Sequence, residues 1–124
     1  QNRFWFDGTS ATVRNGALAA SAGAFDAFAV TDITGGTGAY NTWAILDFVF
    51  SGANSGAYQN NLLAVSGNAG FSAINGLTVG CRYNLDVATY GAIFDLAGMY
   101  TYSGSLSPAA RTNVYNWIKT RFAL

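Results

Sequence analysis

The 124-residue sequence contains no histidine, no glutamate and a single cysteine, Cys81. Without histidine, a Ser-His-Asp or Cys-His nucleophilic site is excluded. A lone thiol without histidine also leaves too few ligands for a structural zinc site. An internal disulfide needs two cysteines. Cys81 lies within the apolar run 77–83, so we expect a buried, unreactive thiol.

Charged residues make up 10% of the chain, against about 25% in an average soluble domain. Six cations balance six aspartates, so the formal net charge is zero. Such a chain lacks the electrostatic footprint of a nucleic-acid-binding protein. All the aspartates precede residue 96, and only Arg111, Lys119 and Arg121 follow it. This asymmetry indicates a solvated basic helix face rather than a phosphate site, and the low charge is typical of domains that bury surface against copies or partners.

No apolar run reaches the roughly 18 residues of a membrane-spanning helix, so we expect no membrane insertion. No signal-peptide pattern is visible. The sequence begins with Gln1, and we interpret it as a processed product or as a piece of a longer chain. Its length fits one domain, 1–124.

Hydrophobic residues are abundant, at 51% with 15% aromatic, and glycine and asparagine recur along the chain. Turn residues at intervals of about 8–12 residues indicate many short strands. Asp7-Gly8 and Asn15-Gly16 are hairpin signals. The segments with strand character are 3–6, 10–14, 24–33, 42–51, 62–66 and 77–83. The segments 90–96 and 97–103 are predicted to form one long or kinked strand region, with Gly98 as a bulge or a close-packing site.

The segment 42–51 is the clearest strand, because both of its alternating faces are apolar. This pattern predicts a central strand covered on both sides. Asp47 interrupts one face, and we expect its carboxylate to bond to a neighbouring loop rather than to act in catalysis.

Only the C-terminus has a helical pattern. Ser107 is suited to the N-cap and Pro108 to the first helical position. The apolar residues that follow at spacings of three and four form one stripe, which should pack on the sheets with Trp117 in the core. The stripe consists of Ala110, Val114, Trp117, Ile118 and Phe122. Together these patterns predict an all-β antiparallel β-sandwich with a short C-terminal α-helix.

The last two thirds, about 42–124, resemble the closing part of concanavalin A-like lectin/glucanase domains of the laminin-G-like type. The resemblance is carried by GLTVGCRYN at 76–84 and by MYTYSGSLSPAAR at 99–111, before the terminal helix. It implies a jelly-roll sandwich. Gly98 and Ala110 stand where the family often has acidic residues, and 1–41 is short for the missing strands. The resemblance therefore implies either a reduced fold or strands supplied by another segment or chain.

Catalysis by a member of this superfamily would need two acidic groups beside the scissile bond, about 5–5.5 Å apart in retaining enzymes. The E-x-D-x-x-E signature of the glucanase branch is absent, since the chain has no glutamate. The segment 35–38 (GGTG) superficially suggests a phosphate loop but lacks the lysine that would follow. We therefore expect no enzyme.

Glycan binding needs aromatic rings beside amide or carboxylate groups. The loop segment 58–61 is one candidate for such a site. Two other loops could hold Ca²⁺, one through Asn84 and Asp86 and one through Asp32. Ordinary turn positions explain these three residues equally well. No other cofactor is expected. The alternative for the tyrosines is that they cover a sheet edge or an interface between copies. The candidate ligand-binding residues are Tyr40, Asn41, Tyr83, Asn84, Asp86 and Tyr90.

Two functional hypotheses follow. The first is a non-catalytic, lectin-like recognition domain of an extracellular or virion adhesion protein, which binds a glycan or cell-surface polysaccharide. The second is a structural virion component, such as a phage fibre tip or capsid decoration protein, that forms a homo-oligomer such as a homotrimer. An inactive carbohydrate-binding module from a secreted enzyme is a third reading. The low charge favours assembly, and the loop tyrosines and asparagines favour glycan binding.

Overall fold

The computed structural model describes residues 3–8, 15–18, 24–38, 42–72, 76–84, 87–89 and 93–124, with the backbone alone for residue 3 and for 15–18, 82–84 and 87–89. Within these ranges the chain forms ten strands, one short 3-10 helix at Gly52–Asn54 and one α-helix. The strands are β1 Arg3–Asp7, β2 Asn15–Leu18, β3 Phe25–Phe28, β4 Asp32–Gly35, β5 Leu46–Val49, β6 Ser55–Gln59, β7 Leu62–Gly67, β8 Thr78–Val79, β9 Arg82–Asn84 and β10 Val87–Thr89, and α1 is Pro108–Phe122.

The strands form small antiparallel sheets. One has five strands in the order β4-β3-β2-β1-β8, a second has three in the order β5-β6-β7, and β9 pairs with β10. The predicted all-β character with one C-terminal helix is confirmed at this level. Sheets of this size do not by themselves show the jelly-roll sandwich that we also predicted.

An aromatic cluster joins the five-stranded sheet to the three-stranded sheet. The ring of Phe48 in β5 lies 5.8 Å from Trp5, 5.2 Å from Phe6 and 6.2 Å from Phe25, measured between centroids. Phe6 also contacts Phe50 edge-on at 6.3 Å. Phe25 is fully buried, and the tilted and edge-on ring geometries are the favourable ones for aromatic pairs. This cluster is an apolar anchor between the two sheets.

A smaller cluster continues the core beyond the rings. It consists of Ala27, Ala29, Ile33 and Ala69, with Phe48 and Phe50 packed against it. The small side chains allow the backbones to approach closely, and the backbone amides of the turn between β3 and β4 reach the carbonyl of Ala69 at 2.7–3.2 Å. This long-range contact explains why the predicted single segment 24–33 is in fact the hairpin β3–β4.

The predicted strand 77–83 is wrong in a similar way, because it is divided between two sheets. β8 pairs with β1, whereas β9 pairs with β10. The break lies at Gly80, which has φ of +85° and donates its backbone N–H to the carbonyl of Trp5 at 2.9 Å. Cys81 follows directly as a free, half-buried thiol, so the prediction of full burial is wrong.

The segment 42–51 was predicted as a central strand, and this prediction is also wrong. β5 covers only Leu46–Val49, pairs with β6 alone, and lies at the edge of its sheet with half-buried residues. The centre is β6, where Ser55, Gly56 and Ala57 are buried. The sequence analysis missed β6 because glycine and small polar residues have low β-propensity.

Residues 93–107 form no strand, so the strands predicted over 90–96 and 97–103 are wrong where the chain is described. This segment packs on α1 instead. A Cβ placed on Gly98 would lie 3.3 Å from the ring of Phe122, and Tyr100 contacts Trp117. Of the two roles predicted for Gly98, a bulge or a close-packing site, the structure shows close packing, with the helix as the neighbour.

Candidate functional site

The helix α1 is the element that positions the C-terminal surface. The Oγ of Ser107 accepts a hydrogen bond from the backbone N–H of Ala110 at 3.2 Å, and Pro108 occupies the first turn. The helix ends at Ala123 in the left-handed region, with Lys119 and Arg121 in the last turn, where cations interact favourably with the helix dipole. The predicted helix and N-cap are confirmed.

Arg111 fixes the first half of α1 to the three-stranded sheet. Its Nε lies 3.0 Å from Oδ2 of Asp47, and its guanidinium carbon lies 3.5 Å above the ring of Tyr58. Asp47 and Tyr58 are directly opposite each other on β5 and β6. Asn61 adds a hydrogen bond from its amide to Oγ1 of Thr112 at 3.3 Å. The partner of Asp47 is thus a helix residue, and the prediction of a loop partner is wrong.

The contact between Asp47 and Arg111 is electrostatic, because the Nε–H does not complete a hydrogen bond. Burial raises the pKa of Asp47 above its ordinary value of 3.8, and the charge of Arg111 opposes this shift without cancelling it. The side chain of Asp47 is 41% exposed and that of Arg111 only 12%, so solvent screens the carboxylate and weakens the ion pair. Stacking of the guanidinium on the ring of Tyr58 is therefore a main part of the attachment of α1 to the three-stranded sheet.

Apart from this attachment of α1 through Arg111, the C-terminal part of the chain exposes large apolar side chains to solvent. We call them the C-terminal ridge, and they are Ile93, Phe94, Leu96, Met99, Tyr100, Tyr102 and Trp117. The exposed fraction of each lies between 36% and 105%. Trp117 is 52% exposed and no residue of α1 is fully buried. The prediction that Trp117 lies in the core is therefore wrong. Contacts of Arg111 and Thr112, in the first half of the helix, attach it to the three-stranded sheet.

Two contacts within the chain order part of the ridge. Tyr100 and Trp117 form an edge-on aromatic pair with 5.2 Å between ring centroids, and Phe122 closes over Gly98. Side chains that are already ordered lose less conformational entropy in a complex. Tyrosine and tryptophan are also the residues that contribute most to binding energy in interfaces.

A second feature is an open cleft of about 450 Å³ between the end of β4 and the β6–β7 turn. At its floor, Gly36 has φ of +67° and a Cβ there would lie 2.6 Å from the carbonyl oxygen of Ala64. Only glycine fits this approach. The cleft is lined by Gly36, Thr37, Gly38, Gln59, Asn60, Leu62, Leu63 and Ala64.

The structure divides the predicted glycan loop 58–61 between two environments. Tyr58 and Asn61 contact residues of α1, whereas Gln59 and Asn60 line the cleft. The Oδ1 of Asn60 accepts a hydrogen bond from the backbone of Ile45 at 3.0 Å, which fixes the turn.

The predicted ligand-binding set is only partly placed. Tyr83 and Asn84 are neighbours on β9, where they pair with Ala88 and Val87 of β10. For calcium, Asp32 is exposed on β4, and the residues that the structure describes contain no group of three or more His, Cys, Asp or Glu side chains. The predictions for Tyr40, Asn41, Asp86 and Tyr90 lie outside the described residues.

The exposure of the ridge was not predicted, although its sequence is unusually apolar. The segment 93–107 contains six large apolar residues between Ile93 and Tyr102 and one charged residue, Asp95. Its aromatic and aliphatic residues were instead interpreted as part of a long or kinked strand region, because such residues are enriched in strands.

Comparisons with family models, with curated proteins and with solved structures gave no match for this chain. In the part of the chain that the structure describes, no helix has the length and hydrophobicity needed to cross a membrane.

Proposed function

We propose that this chain is a non-catalytic structural subunit that self-associates within an extracellular or virion assembly. The observation that carries the proposal is the large apolar surface of the C-terminal ridge on a chain with zero net charge. Soluble monomers rarely expose contiguous apolar patches of more than a few hundred Å², and copies without net charge do not repel each other at long range.

The composition supports the non-catalytic part of the proposal. The chain offers no histidine and no glutamate for general acid–base chemistry. Of its aspartates, Asp47 is engaged with Arg111, and Asp7 and Asp26 are buried in the sheet. The Oδ1 of Asp7 accepts a hydrogen bond from the backbone N–H of Gly8 at 2.9 Å, which is a structural role in a turn.

We also propose that the two sheets belong to a reduced concanavalin A-like, laminin-G-like jelly roll. Its support is the aromatic contact between the five-stranded and three-stranded sheets and the helix that begins after Leu106 and Ser107. A reduced sandwich lacks strands that a complete jelly roll has. The surface that those strands would cover is then exposed, and a neighbouring copy can bind to it.

The native mass of the chain tests the proposed function. Sedimentation velocity over a dilution series should show species larger than the 13.0 kDa monomer, increasing with protein concentration. Because the contact is apolar, addition of ammonium sulfate should strengthen it. A species that remains at 13.0 kDa up to the solubility limit would refute self-association.

Glycan recognition is the second candidate, and the cleft favours it. Gln59, Asn60 and Thr37 bring amide and hydroxyl groups to an opening of about 450 Å³, within the range of about 300–1,000 Å³ that is usual for ligand sites. Saturation-transfer NMR with a panel of oligosaccharides, with and without Ca²⁺, tests this candidate. Signals that are lost in Gln59→Ala would support it, and the absence of signals from the native chain under both conditions would exclude it for that panel.

A further inference from the structure

We propose that the C-terminal ridge is the contact between two copies of this chain, arranged so that Asp95 of one copy meets Arg121 of the other. The proposal rests on the self-association proposed above and names its surface and geometry. It selects the ridge over the other exposed apolar side chains, such as Trp43 and Leu62.

The composition of the ridge suits a second copy. Each of its seven large apolar residues is at least 36% exposed, and burial of apolar surface is the dominant favourable term in most protein–protein association. Six of the seven come from the ten-residue stretch 93–102, and Tyr100 connects this stretch to Trp117 on α1. The other exposed large apolar residues occur singly or in pairs along the described part of the sequence.

The charges on this surface complement each other between copies rather than within one. Asp95 is the one charged residue of 93–107, and Arg121 lies four positions after Trp117, on the same helix face. Both are exposed, and neither forms an ion pair within the described part of the chain. The guanidinium carbon of Arg121 lies 6.0 Å from the centroid of the Phe122 ring.

Two-fold symmetry makes this complementarity reciprocal. In an isologous interface, residue i of one copy contacts residue j of the other, and j contacts i. A contact between Asp95 and Arg121 therefore occurs twice in a dimer. Apolar anchors between the two charge pairs supply the affinity, whereas the charges set register and orientation.

Charge reversal tests this geometry. Asp95→Arg alone places two cations at each contact, and Arg121→Asp alone places two aspartates there, so each single variant should lose self-association in sedimentation. An equimolar mixture of the two variants should recover it, because both contacts then pair Arg with Asp. Recovery also shows that each variant folds.

A mixture that does not associate would overturn the proposal. Recovery in the double variant Asp95→Arg with Arg121→Asp, but not in the mixture, would assign the pair to contacts within one chain and would equally overturn it. Self-association that is unchanged in both single variants would also overturn the contact between Asp95 and Arg121, but it would not contradict the proposed function.

A second pair of variants tests the apolar part. Trp117→Gln should raise the dissociation constant by about 30-fold or more, as loss of an interface anchor does. Trp43→Gln is the matched control, since Trp43 has nearly the same exposure, 56% against 52%, and lies outside the ridge; its dissociation constant should change less than about threefold. Equal effects of the two substitutions would overturn the assignment of the ridge. Failure of the native chain to associate would instead refute the proposed function itself.

Discussion

The aromatic cluster between the sheets predicts a large effect of one substitution, Phe25→Ala. Phe25 has no exposed surface, and its ring lies 5.9 Å from Trp5 and 6.2 Å from Phe48. Removing a fully buried phenylalanine costs about 3–5 kcal/mol through lost transfer energy and the remaining cavity. A domain with an unfolding free energy of about 5–15 kcal/mol loses a large share of its stability by this change.

Urea denaturation followed by tryptophan fluorescence measures this cost, because Trp5 lies in the cluster. At the midpoint temperature, each kcal/mol corresponds to roughly 3–6 °C for a domain of this size, so the midpoint of thermal unfolding should fall by roughly 10–30 °C.

Phe71→Ala is the matched control for this prediction. Its ring is 77% exposed, and the loss should stay below about 1 kcal/mol. A cost of less than about 1 kcal/mol for Phe25→Ala would show that this cluster does not hold the two sheets together.

Three further predictions concern α1 and the cleft. Arg111→Leu removes the stacking on Tyr58 and the contact with Asp47, so hydrogen exchange of the amides in 108–122 should accelerate. Asn116→Ala, on the exposed side of α1, is the control and should not accelerate it. Because burial holds the pKa of Asp47 above 3.8, its contribution to stability is present below the unfolded pKa and is lost as pH rises through the folded pKa. Asp47→Asn should therefore gain stability relative to the native chain between acidic and neutral pH in urea titrations, and a relative loss at neutral pH would show that attraction to Arg111 dominates. Gly36→Ala should lower the free energy of unfolding by at least about 2 kcal/mol, because the new Cβ combines a positive φ with a backbone clash. Gly104→Ala is the control in the same urea titrations. Since no atom lies within 4 Å of a Cβ at Gly104, this substitution should be neutral or slightly stabilising.

Local sequence signals predicted the elements whose stability is local. The helix α1 carries its own N-cap and proline, so its start at Ser107 and Pro108 was predictable. The strand β7 was also predictable, from its short apolar run between turn residues. The hairpin β3–β4 was not, because its turn depends on the distant carbonyl of Ala69.

The candidate site was less predictable than the fold, because exposure is a tertiary property. An apolar stripe at helical spacing indicates a packed face, and Trp117 has that spacing, yet the helix is anchored through Arg111 and Thr112. The two environments of the loop 58–61 were not predictable for a related reason. Sequence spacing could not show that Tyr58 faces Arg111 while Gln59 faces the cleft.

The central claim is that the ridge becomes buried between copies, and hydroxyl-radical footprinting of the native chain tests it most directly. Oxidation of Met99, Tyr100 and Trp117 is measured by mass spectrometry in dilute and in concentrated solution, with Trp43 as the internal reference. The account predicts that the three ridge residues become protected at high concentration, while Trp43 is oxidised at the same rate throughout. Oxidation of Trp117 that does not change with concentration, in a sample whose mass shows association, would contradict it.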